Sequence, residues 1–167
     1  VLGLIAVMPF AFPILVDSSY GDAYVYIPIL VISIYYTNMS NFYGGIFTAY
    51  KDTKIMGSTT VMAAITNIVI NLIFIPKFGI YAATFSTLIS NFIVYVYRRV
   101  RLTDYIRLKE KFNYVFWILL VITLASYYYN NMITNVITFI VVLAYCIFTN
   151  WNLLKKITQP IINKIKR

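Results

Sequence analysis

The chain contains no histidine, a single cysteine (Cys146) and only five carboxylates in 167 residues. One cysteine excludes a disulfide within the chain, and the lack of histidine excludes a His/Cys metal cluster. No metal and no cofactor are expected. General base work would fall to the carboxylates, and because Asp17 and Asp22 read as turn chemistry, no catalytic residue is expected and the chain is expected to be a non-enzyme. Charge is scarce: 11% of residues are charged and 61% hydrophobic, with a mean hydropathy of +0.79. A soluble domain of this length cannot hide that much apolar surface. The alternating segments of roughly ten residues that build a membrane β-barrel are also missing. What remains is an all-α class, a polytopic transmembrane helical bundle, because runs of about 20 apolar residues match a bilayer core roughly 30 Å thick. In a soluble protein the net charge of +9 would suggest nucleic acid. Here it points to membrane lipids as partners and to no nucleic acid. The chain begins inside an apolar run, without the charged start or cleavage site of a signal peptide, and reads as part of a longer protein.

About six spans are expected, the first one truncated. They cover residues 1–16, 23–50, 55–75 and 79–97, and two more lie within 113–154, where "YYYNN" (Tyr127 to Asn131) is the natural break. In "IPKFG", Pro76 is expected to stop one helix and Gly79 to open the next. A basic connector covers 98–112 and a basic tail 155–167. If the connectors alternate sides, "KDTK", the 98–112 segment and the tail share one face of the membrane. That face holds thirteen of the fourteen Lys and Arg residues, and the other holds only Lys77. The positive-inside rule makes the basic face, and so the C-terminus, cytoplasmic.

The carboxylates Asp17, Asp22, Asp52, Asp104 and Glu110 all fall in connectors. Asp17 and Asp22, in "DSSYGD", read as turn chemistry. The uncharged polar residues recur at helical spacing. Thr37, Asn41, Gly44 and Thr48 share a face, with Asn38 beside them; Thr60, Ala64, Asn67 and Asn71 share another; Gly79, Ala83 and Thr87, and next to them Ala82, Ser86 and Ser90, form two small-residue stripes followed by Asn91. Such stripes let helix backbones approach and hydrogen-bond across the contact. They also suit a hydrated cavity for a neutral, hydroxyl-rich ligand such as a sugar. Asn38, Asn41, Asn67, Asn71, Ser86 and Ser90 are the candidates for either role. Arg98, Arg99 and Arg101 are candidates for an anionic lipid headgroup or, more plainly, determinants of topology. The basic connector and the tail, with Ile157, Ile161 and Ile165 four apart, suit interfacial helices.

The run "NIVINLIFIPKFGIYAATFSTLIS" (Asn67 to Ser90) and the upstream "YIPILVISIYYTNMSNFYGGIFTAYKDTK" resemble the polysaccharide and lipid-linked oligosaccharide flippases. These belong to the multidrug/oligosaccharidyl-lipid/polysaccharide exporter superfamily. The shared features are an asparagine-bearing helix, the Ile-Pro-Lys-aromatic-Gly turn, a small-residue helix ending in basic residues, and a Lys-x-Thr-Lys loop (Lys51, Thr53, Lys54). Tyr81 stands where that family usually carries a small residue. The resemblance implies the C-terminal portion of a MATE-like fold of about fourteen helices, two six-helix bundles and a final pair. Residues 1–97 would then belong to the second bundle and 113–154 would be the final pair. It also implies a place in the bacterial inner membrane and a task, moving an undecaprenyl-pyrophosphate-linked glycan outward by alternating access. The implied partners are the lipid-linked glycan and the preceding helices of the same protein. The alternatives are a drug/cation antiporter, which usually needs intramembrane acids, and a membrane-embedded glycan polymerase or ligase.

Overall fold

The computed structural model describes residues 1–106, 113–151 and 155–156. Six α-helices follow one another: α1 (Leu2–Leu15), α2 (Ile27–Ala49), α3 (Thr53–Phe78), α4 (Ile80–Leu102), α5 (Tyr114–Tyr129) and α6 (Met132–Thr149), with a 3₁₀ segment at Ser18–Tyr26 between α1 and α2. The protein is all-α. The proposed interfacial helix of the tail and the second half of the basic connector lie outside the described residues.

Among the described residues three helices, α3, α4 and α6, are long and apolar enough to cross a membrane, while α1 and α5 are apolar but shorter. Helix α2 has the length, 23 residues without a charge. Its tyrosines, asparagines and glycines keep it off that apolar set.

The chain forms two compact units. In the first, α4 is the central helix and packs on both α3 and α2. In the second, α1 packs on α6 and α5, which pack on each other. The first helix thus belongs to the same unit as the last two.

Local chemistry fixes the helix ends. Pro28 sits in the first turn of α2, where a missing N–H costs nothing. After α2, Lys51 takes a left-handed conformation (φ 61°). Its N–H bonds the carbonyl of Thr48, and that of Asp52 bonds Phe47, closing the paired bonds of a Schellman motif. Pro76 does not stop α3. It lies inside the last turn, and the helix ends at Phe78 because Gly79 (φ 53°) caps it, its N–H bonding Ile75 at 2.8 Å. Only glycine accepts that φ with ψ −131° cheaply. Helix α4 runs past Tyr97 to Leu102, so Arg98, Arg99 and Arg101 are helical. Asn130 (φ 50°) ends α5, and the Asn131 side chain caps α6 by accepting from Ile133. In the same unit Phe10 of α1 meets Phe139 of α6 edge-on at 5.8 Å. Ser126 donates to Asn135 at 2.9 Å.

Candidate functional site

The polar residues of the first unit gather where α4 meets its neighbours. Ala82, Ser86, Ser90, Val94, Arg98 and Leu102 are all buried and recur every fourth position. Four-residue spacing puts them on one face of the helix, so the small-residue stripe expected from Ala82, Ser86 and Ser90 continues to an arginine.

Arg98 is 4% exposed. Its Nε and Nη2 donate to Thr59 Oγ1 at 2.9 and 2.8 Å, and its Nη1 to the Ser40 carbonyl at 3.0 Å. Thr59 Oγ1 in turn donates to the Ile55 carbonyl at 2.7 Å. The hydroxyl therefore uses both lone pairs and its proton. Thr59 is the buried residue of α3, so one side chain of α4 ties α3 and α2 together. Gly44 makes the room. A Cβ there would lie 2.5 Å from Met56 Sδ and 3.3 Å from Arg98 Nη1. Among the described residues no carboxylate pairs with Arg98; the recorded ion pair of this region joins Arg101 to Asp104 at 3.8 Å. A desolvated guanidinium costs several kcal/mol. Hydrogen bonds of about 1.5–3 kcal/mol each offset that cost, as does its place in the last turns of α4, where the helix dipole favours a cation.

A second polar seam joins α3 to α4 nearer Gly79. Asn71 Nδ2 donates to Asn67 Oδ1 at 2.8 Å, Ser86 Oγ to Asn71 Oδ1 at 2.7 Å, and Asn67 Nδ2 to Thr87 Oγ1 at 3.4 Å. A third contact joins α4 to α2, where Asn91 Nδ2 donates to Ser33 Oγ at 2.8 Å. Ser90 is buried, and its Oγ, like that of Ser40, has no hydrogen-bond partner among the described residues. Of the sequence candidates, Asn67, Asn71 and Ser86 are brought together, and Ser90 lies on the same spine.

Asn38 and Asn41 are placed differently. They are exposed on α2, in line with Ile34, Gly45 and Thr48. The opposite side of the helix buries Ser33, Ser40, Tyr43, Gly44 and Phe47. The face expected to hold Asn41 together with Gly44 is thus divided, with Gly44 packed and Asn41 outward. Tyr81 is exposed in part and meets Tyr26, the N-cap residue of α2, edge-on at 4.7 Å.

At the end of the unit that carries Lys51, Arg99 is half-buried and donates to the Tyr43 hydroxyl at 3.4 Å. Arg101 is exposed, 5.7 Å from the centre of the Tyr97 ring. Tyr105 donates to Asp52 Oδ2 at 2.5 Å. That bond, then burial, raises the Tyr105 hydroxyl above the ordinary tyrosine pKa.

The sequence did not single out Thr59 or the burial of Arg98. The signal for Arg98 was the four-residue period running on from Ser90 through Val94. Thr59 offered none, since its neighbours Ser58 and Thr60 are chemically alike and exposed.

Comparison with protein-family models, curated proteins and solved structures finds no match to this chain.

Proposed function

We propose that this chain is part of a membrane carrier that moves a lipid-linked, pyrophosphate-bearing oligosaccharide across a bacterial inner membrane by alternating access. The observation that carries the reading is the outward face of α2. Asn38, Asn41, Gly45 and Thr48 lie exposed along a helix that bears no charge. Amide groups in a membrane need hydrogen-bonding partners, so such a face belongs against water or further protein rather than lipid. A cavity wall of neutral donors and acceptors suits a hydroxyl-rich glycan. The polar seams between α2, α3 and α4 support the same reading, because small-residue contacts let helices rock as units. The sequence resemblance supplies the substrate class, and the positive-inside rule supplies the cytoplasmic C-terminus. The antiporter reading is disfavoured because Asp17, Asp22, Asp52 and Asp104 all lie outside the six α-helices, leaving no acid within them to exchange ions.

In cells lacking the protein, the lipid-linked glycan should accumulate in the cytoplasmic leaflet, and restoring the gene should clear it. The paired variant Asn38→Leu and Asn41→Leu should slow that clearance. Because both side chains are exposed, stability of the purified protein should change by no more than about 0.5 kcal/mol per site. An unchanged leaflet distribution on deletion would refute the carrier role. Full clearance by the double variant would remove α2 from the cavity.

A further inference from the structure

We propose that the Arg101 end of the α3–α4 pair is a binding site for an aminophospholipid of the surrounding bilayer. Two adjoining cavities motivate this. One, of about 440 Å³, is charged and polar, lined by Asp52, Lys54, Ser58, Arg101, Asp104 and Tyr105 among others. The other, of about 380 Å³, is apolar, with Met62, Phe92, Ile93, Val96 and Val100 in its walls. Tyr97 and Arg101 line both. An apolar channel along a helix pair that opens into a charged chamber at the helix ends has the division of a phospholipid, acyl chain below and headgroup above. The proposal rests on α3 and α4 crossing a membrane and not on the carrier reading.

Charge complementarity selects the headgroup. The chamber holds two cations, Lys54 and Arg101, and two carboxylates, Asp52 and Asp104, so it is balanced rather than cationic. An anionic headgroup gains from Lys54 and Arg101 but meets both carboxylates. A zwitterionic one matches both signs. Asp52 accepts from Tyr105 and does not cap α3. The first N–H groups of α3 therefore carry no side-chain cap beside Lys54, and a helix start of this kind favours phosphate oxygens. Arg101 supplies the second cation. Asp104 holds Arg101 only loosely, at 3.8 Å, and both side chains are more than half exposed. Its carboxylate can accept from a primary ammonium, which donates N–H bonds, but not from a quaternary one, which has none to give.

Native mass spectrometry of the purified protein, equilibrated with phosphatidylethanolamine, phosphatidylcholine or phosphatidylglycerol, tests this. The wild type should retain phosphatidylethanolamine over both others. Asp104→Ala, which removes the acceptor, should bring it down to the phosphatidylcholine level. Lys54→Ala and Arg101→Ala should each weaken both zwitterionic lipids about fivefold. Val96→Trp, at an exposed position of the apolar channel, should weaken all three. Circular dichroism of each variant confirms that these surface changes leave the helices intact. Best retention of phosphatidylglycerol would show simple attraction to a basic surface and overturn the proposal. So would an ethanolamine preference that survives Asp104→Ala, or no discrimination among the lipids. Loss of glycan export plays no part in this readout, so the carrier reading stands or falls separately.

Discussion

Among the described residues Arg98 is held by neutral oxygens alone, and that sets an unusual order of mutational effects. Thr59→Val removes the acceptor for Nε and Nη2 but leaves the charge buried. Arg98→Met removes the charge and its desolvation together. Stranding a buried charge costs on the order of 3 kcal/mol, whereas an apolar residue of similar volume is often tolerated. Thr59→Val should therefore lower the thermal midpoint of the purified protein more than Arg98→Met does. The reverse order would mean that the guanidinium contributes more than a tie between helices. A second pair isolates the serines of the α4 spine. Ser86 donates to Asn71, so Ser86→Ala should cost about 1 kcal/mol or more. Ser90 Oγ has no partner, and removing a buried hydroxyl that bonds nothing should leave stability unchanged or raise it. Equal losses at both positions in thermal unfolding would show that packing, not hydrogen bonding, governs the spine.

At the scale of elements, the corner where the start of α3 meets the end of α4 is closed by the Tyr105–Asp52 bond. The Tyr105 hydroxyl has a raised pKa in the folded protein. Its contribution is therefore complete below the unfolded tyrosine value of about 10 and is lost as pH rises through the higher folded value. The stability gap between wild type and Tyr105→Phe should stay constant from neutral pH to about 9 and close in stronger alkali. A gap that closes on acidification alone would assign the effect to another group. The helical class was legible in the sequence because apolar runs of this length, with scarce charge, leave few other solutions. The end of α3 was misjudged for a physical reason. Proline forfeits one hydrogen bond and clashes one turn back, yet near a C-terminus a glycine cap outweighs it. The side chosen by each stripe was not legible. Asn41 and Gly44 are three apart and share a broad face by spacing, but Arg98 reaches the α2 backbone beside Gly44 while Asn41 turns outward. Only the neighbouring helix decides that.

The whole molecule carries one further asymmetry that can be tested without knowing its substrate. Antiparallel α3 and parallel α2 and α4 put Lys51, Lys54, Arg99 and Arg101 at one end of the first unit, since Ser40 meets Arg98 and Asp52 meets Tyr105. Lys77 lies at the other end, beside the Gly79 cap. A cation is retained on the cytoplasmic face during insertion, and the bias acts through short connectors such as these. One lysine cannot offset four, so the carrier reading expects residue 77 outside the cell and residue 101 inside. Cysteines placed at 77 or 101 in a Cys146→Ala background report the two ends directly. A membrane-impermeant maleimide applied to whole cells should label the Lys77→Cys protein and spare the Arg101→Cys protein until the membrane is opened. Lys77→Cys also removes the opposing charge, so it should leave the orientation as it was. Labelling of residue 101 in intact cells would invert the protein and place the Arg101 chamber in the outer leaflet. Equal labelling of both sites would mean that the α3–α4 hairpin does not span the membrane.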